Sequence, residues 1–137
     1  MSSAMPPTAP SIVRNQFDAY NARDIERFTQ CWASDCRYYE FPDRLLASGM
    51  AEVRERHVVR FKETNLFGKL IKRIAVGNLV IDQEIVTRTF PEGAGEIDVV
   101  AIYVVRDGKI EKAWFNFGER RLHARDAKSE PRPCKML

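Results

Sequence analysis

Apolar residues recur at helical spacing through the first third of the chain. Ile12, Val13, Phe17 and Tyr20, with Gln16 among them, fall at three- and four-residue steps. They predict a helix from Ser11 that Asn21 closes, capped by Ser11 or Thr8. Asp24 then caps a second helix carrying Ile25, Phe28, Cys31 and Trp32 on one stripe, with Glu26, Arg27 and Gln30 outward and an end near residues 34–35. From Cys36 to Phe41 the period shortens to two. This predicts a strand with Tyr38 and Glu40 on one face, Arg37, Tyr39 and Phe41 on the other, and Pro42 ending it. After a turn, Gly49 opens a third helix running to about Thr64, with Val53, His57 and either Val58 or Phe61 on its inner face.

From Leu70 onward the residues are β-branched and aromatic. KLIKRIAV, NLVIDQEIVTRTF, EIDVVAIYVV and KIEKAWFNF read as four strands, with turns at Gly77 and Asn78, from Pro91 to Gly95, and at Asp107 and Gly108. Asp-Gly between two strand-like runs is the strongest hairpin signal. Helices first and strands second make an α+β domain, a curved antiparallel sheet bent around a helical layer. The inside of such a sheet is a pocket candidate.

Composition narrows this picture. The 137 residues are 45% apolar and 30% charged, which suits one ordinary domain with its own core. We expect a proline-rich disordered leader over residues 1–10, one domain over 11–123 and a polar tail over 124–137. The leader lacks the apolar core of a secretory signal, and no run reaches transmembrane length. The net charge of +3 arises from intermixed signs, which speaks against nucleic-acid binding. Cys31, Cys36 and Cys134 have no metal spacing, so a reducing cytoplasmic setting without a metal site is expected. Cys134 also lies four residues from the end, in a loose prenylation pattern whose Lys135 departs from the usual aliphatic residue. No phosphate loop, nucleophile elbow or metal-ligand cluster is present. Any chemistry is therefore expected to be cofactor-free acid and base work on a small molecule.

The element order, the stretch YNARDIERFTQCWASDCRYYEFPD, the Ser48 and Gly49 helix start and the closing DGKIEKAWFNFGE resemble the NTF2-like superfamily, in its SnoaL-like and ketosteroid isomerase-like branch. The resemblance covers residues 12–123. It implies a cone in which three N-terminal helices pack into the concave face of a curved antiparallel, partly mixed, sheet. It also implies isomerisation, cyclisation or dehydration of a hydrophobic ring or polyketide-like substrate. In the isomerase register the general base falls on Glu40, the two oxyanion donors fall on Gln16 and Ala101, and a supporting tyrosine falls on His57. Ala101 donates nothing and Gln16 offers a neutral amide, so Glu40 would be the base, with His57 or Gln16 donating to the oxyanion.

The same register turns Asp82, Glu84, Val86 and Arg88 inward on the long strand, where they could equally be a solvated ladder, a dimer surface or a buried network with Arg88 as partner. That acid-acid-arginine set also resembles the limonene-1,2-epoxide hydrolase branch, giving a weaker water-adding alternative. Tyr20, Trp32, Tyr38, Val53, Tyr103, Phe115 and Phe117 complete the pocket candidates. For Tyr20 and Tyr103 a plain core role is the competing reading, as a partly exposed helix residue or a hydrogen-bonded core histidine is for His57 and a solvated strand end is for Glu40. A non-catalytic ligand-binding or dimerisation module is the second reading of the whole chain. The branch also implies a homodimer through the outer sheet face, with Ile85, Thr87, Val100, Ile102 and Trp114.

Overall fold

A computed structural model describes residues 7–123; the first six residues, the tail from 124 and Cys134 with it lie outside the described residues. Helix α1 (Ala9–Ala22) starts at Thr8, whose Oγ1 accepts from the Ser11 amide at 3.2 Å. Thr8 is thus the cap, and residues 9–10 belong to the helix rather than to a leader. Pro10 sits in the first turn, where its missing N–H costs nothing. Arg23, in the left-handed region at φ 55°, ends the helix. Asn21 does not close it. Its amide instead clamps Gly68, accepting from the backbone N–H at 2.7 Å and donating to the carbonyl at 2.9 Å.

Helix α2 (Ile25–Gln30), capped by Asp24, is shorter than its apolar stripe predicts. Cys31 ends it and Trp32 already opens strand β1 (Trp32–Glu40). The last strand, β6 (Lys109–Leu122), captures this segment by donating the Ile110 amide to the Cys31 carbonyl at 2.7 Å. Tertiary pairing therefore overrides the helical pattern. Strand β2 (Arg44–Ser48) is a further departure, because a turn was expected there. It pairs antiparallel with β1 and leads to Gly49, which at φ 88° begins helix α3 (Met50–Arg60).

Three more strands complete the sheet, β3 (Phe67–Val76), β4 (Leu79–Phe90) and β5 (Gly93–Arg106). All lie close to their expected positions. At the β5–β6 hairpin Asp107 (φ 54°) and Gly108 (φ 75°) both take positive angles, as a primed two-residue turn requires. The order is β2-β1-β6-β5-β4-β3, antiparallel except for the parallel β1–β6 pair. The result is the expected α+β cone: three helices against a curved, mixed six-stranded sheet that does not close.

Residues of one parity on β4, namely Val80, Asp82, Glu84 and Val86, point inward and are buried. The main core joins Val13 of α1, Phe28 of α2, Val53 of α3 and Trp32, Val80 and Ile110 of the sheet. A smaller cluster gathers Leu66, Val86 and Val99. Among the described residues, no helix is long and apolar enough to cross a membrane.

Candidate active site

Members of both core clusters line a cavity of about 400 Å³ in the concave face. Aromatic rings make much of its wall, with Phe115 of β6 4.6 Å from Tyr38 of β1 and 5.8 Å from Tyr103 of β5, centroid to centroid. Gln16, Tyr20 and Phe17 enter from α1, and Arg56, His57 and Arg60 from α3. Glu40, Glu84, Arg88, Ala101 and Phe117 also line it.

Three expected pocket residues lie elsewhere. Trp32 and Val53 are core residues behind the wall, and Asp82, 0% exposed, sits beneath it. Asp82 is held by Arg73 of β3 through two bonds of 2.7 and 2.9 Å. The antiparallel register explains this, because Arg73 stands directly opposite Asp82. Arg88, expected as the partner, is six residues from Asp82 along one strand, roughly 20 Å away. It instead binds Glu63, with Nη2 2.8 Å from Oε2. Sequence reasoning did not single out Arg73, since strand pairing alone brings it to the acid.

Glu84 is the most perturbed carboxyl in the cavity. It is 8% exposed, lines the cavity and has no hydrogen-bond partner among the described residues. Burial pushes its pKa up to about 8; the Asp82 charge adds to this and Arg73 opposes it. At neutral pH Glu84 is thus a protonated acid facing the pocket. Tyr103 is close by and buried, its hydroxyl held well above the usual tyrosine range by burial and then by the two acids. The Gln16 amide lies against the same hydroxyl. It also donates to the Val13 carbonyl at 3.4 Å, a long bond.

His57 is 3% exposed in a cage of Tyr20, Phe28, Tyr38 and Phe61. Its Nδ1 is 2.8 Å from the Val53 carbonyl, an acceptor, so Nδ1 carries the proton and Nε2 keeps a lone pair. Desolvation pushes its pKa down to about 3, and Arg60 and Arg56 act in the same direction. The imidazole is therefore a neutral acceptor at Nε2. The expected role of oxyanion donor does not fit this tautomer.

Glu40 ends β1 beside the pocket, but its side chain is 37% exposed and accepts from Arg44 Nη1 at 3.0 Å. Glu84, not Glu40, is the buried carboxyl of the site. Ala101 faces Asp82 across the β4–β5 pair, so Glu84 is its diagonal neighbour, within reach of a long side chain. A carboxyl thus stands one strand away from Ala101.

The site is thus a cavity in the concave face of an open α+β cone, walled by tyrosines, a buried acid and a neutral histidine. Residues 13–113 match the SnoaL-like domain family, and the chain belongs to it. No curated protein matches the sequence. Solved structures share the fold at low identity. An uncharacterized cystatin-fold protein from Novosphingobium aromaticivorans is 20% identical (TM-score 0.74, 82% of this chain and 98% of that one covered). An epoxide hydrolase of Mycobacterium tuberculosis resembling the limonene enzyme is 16% identical (TM-score 0.72, 82% and 86% covered). A proposed polyketide cyclase of Sinorhizobium meliloti is 19% identical (TM-score 0.65, 77% and 94% covered).

Proposed function

We propose that the protein is a small-molecule enzyme performing cofactor-free acid-base chemistry next to a carbonyl of a hydrophobic ring or polyketide-like substrate. The observation that carries this is Glu84, a carboxyl pushed up to about 8 that opens, without a protein partner, into an aromatic cavity. In this reading Glu84 and Tyr103 hydrogen-bond the substrate carbonyl and stabilise the enolate oxygen as it forms. Glu40 removes the proton next to that carbonyl and returns it to another carbon of the enolate, so no net proton is gained or lost. A carboxylic acid kept neutral to donate a hydrogen bond has a precedent in ketosteroid isomerase. Here it would stand on β4 instead of β5.

The test is conversion of a β,γ-unsaturated cyclic ketone to its conjugated isomer, followed by ultraviolet absorbance. Glu40→Gln is expected to abolish turnover, and Glu84→Gln, which keeps a weaker donor, to lower it by about 10²-fold. Turnover should also fall as the pH rises through about 8, where Glu84 loses the proton it donates. Full activity in both variants would sink the reading.

The exposure of Glu40 and its bond to Arg44 favour the second reading, a non-catalytic ligand-binding module. Binding of ring ketones and phenols without turnover would decide for it. Water addition with Arg88 loses support, because that guanidinium is engaged by Glu63. Pairing of two chains through Ile102, Trp114 and their neighbours on the outer face completes the proposal, and light scattering should then give twice the chain mass.

A further inference from the structure

The cavity carries more positive charge at its mouth than its acid-base chemistry uses. Four arginines line it, Arg56, Arg60, Arg88 and Arg120. Arg120 is neutralised by Glu92 at 2.7 Å and Arg88 by Glu63 at 2.8 Å. Glu63 accepts further from the Thr89 amide at 3.1 Å, which leaves Arg60 at 3.7 Å with no hydrogen bond to that carboxylate. Arg56 has no carboxylate within ion-pair distance among the described residues, and its Nε is buried without any hydrogen-bond partner. Of the nearby acids, Glu40 binds Arg44, Glu52 accepts from the Ser48 amide at 2.7 Å, and Glu55 stands on the exposed side of α3 and makes no ion pair with either arginine.

Arg56 and Arg60 are four residues apart on α3, so they share one helix face, and both line the cavity with His57 between them. The Arg56 guanidinium lies over the Tyr38 ring, 5.3 Å from its centroid. Arg60 borders the Tyr20 hydroxyl. Two guanidiniums and two phenols thus converge at the edge of an apolar chamber. A buried N–H without an acceptor is costly, and a bound acceptor relieves that cost. The planar fork of arginine matches a carboxylate in particular.

We infer that Arg56 and Arg60 form a carboxylate-binding site, and that the natural substrate is a ring compound bearing a carboxylate, its ring in the cavity and its anionic group at α3. This deepens the proposed function and rests on its reading of the cavity as the ligand site. The excess charge would then both select anionic ligands and fix the ring's orientation toward Glu84.

The test compares two probes of the same shape, 2-naphthoate and the uncharged 2-naphthylmethanol, by titration calorimetry on the full chain at pH 7. The carboxylate is expected to bind about tenfold tighter or more, an advantage that shrinks as salt is added. Arg56→Gln should erase most of that advantage, lowering the carboxylate's affinity far more than the alcohol's. Arg56→Lys, which keeps the charge but not the fork, should restore part of it, and Arg60→Gln should act in the same direction as Arg56→Gln. Equal affinity for the two probes overturns the inference but leaves the cavity reading intact. So does an advantage that survives removal of both arginines. Failure of both probes to bind overturns the cavity reading as well.

Discussion

At the scale of the residue, Glu84 owes its protonation first to its depth and then to its neighbour Asp82. Asp82, two positions along the same face, keeps its place because Arg73 grips it in two hydrogen bonds. A second negative charge beside this pair is unfavourable, so Glu84 holds its proton. Asp82→Asn removes the repulsion and leaves Arg73 as an uncompensated cation nearby. Both changes favour ionised Glu84. Its titration, followed by carboxyl NMR or by the alkaline limb of the rate profile, is therefore expected to move to lower pH. A limb that stays in place would mean that burial alone sets the pKa. Arg73→Met acts differently, since it strands Asp82 with its charge fully buried. That change should cost about 3–5 kcal/mol of stability, read from urea unfolding.

At the scale of the element, the connection between α3 and β3 is held by the corner after α1. Asn21 pairs with both backbone groups of Gly68, and Arg23 donates to the carbonyls of Glu63, Thr64 and Leu66 at 3.2, 2.8 and 3.0 Å. Asn21→Ala removes two part-buried bonds and should cost about 2 kcal/mol, measured as a lower urea midpoint with an unchanged slope. These contacts span 40 to 47 residues in sequence, and nothing local announces them. The same distinction separates what could be read along the chain from what could not. The four long strands and the Asp107 and Gly108 turn were legible, because alternation and turn chemistry are local. So was the shared parity of Asp82, Glu84 and Val86, whereas their inward direction came only from the family register. The end of α2 was not, because Cys31 and Trp32 continue its apolar stripe and only pairing with β6 pulls them into a strand. Strand β2 was hidden in a short segment between Pro42 and Gly49 that pairs only with β1. In the site, the family register turned Glu84 inward and core spacing made Tyr103 a pocket candidate. The exchange of partners, Arg73 for Arg88, depended on register across strands.

At the scale of the whole molecule, two buried groups of opposite habit act on stability in overlapping pH ranges. Glu84 has a folded pKa of about 8 against an ordinary 4.5, so the folded state holds one extra proton between those values. His57 has a folded pKa of about 3 against 6.5, so the folded state lacks one proton between those values. Stability rises with pH where the unfolded chain binds more protons and falls where it binds fewer. Between about 4.5 and 6.5 the two effects cancel and their joint contribution is flat. From 6.5 to 8 Glu84 acts alone, and stability should fall by about 2 kcal/mol. From 4.5 down to 3 His57 acts with the same magnitude and stability falls again. Glu63, where burial is outweighed by Arg88, the Thr89 amide and Arg60, and Asp98, held down by Arg121, lie below their ordinary pKa, add to that acid limb and leave the plateau unchanged. Unfolding free energy measured from pH 4 to 9 should therefore trace a plateau with two shoulders. Glu84→Gln should remove the alkaline shoulder and uncover a decline that begins near pH 6.5 on acidification. His57→Gln should do the opposite, uncovering a steady fall as the pH rises from 4.5 to 8. Each variant reports a slope rather than an absolute stability, so the comparison survives any packing loss the substitution itself brings. A wild-type plateau that neither variant tilts would mean that the two groups do not titrate out of step with the unfolded chain, and the protonated acid at the heart of the proposed site would have to be given up.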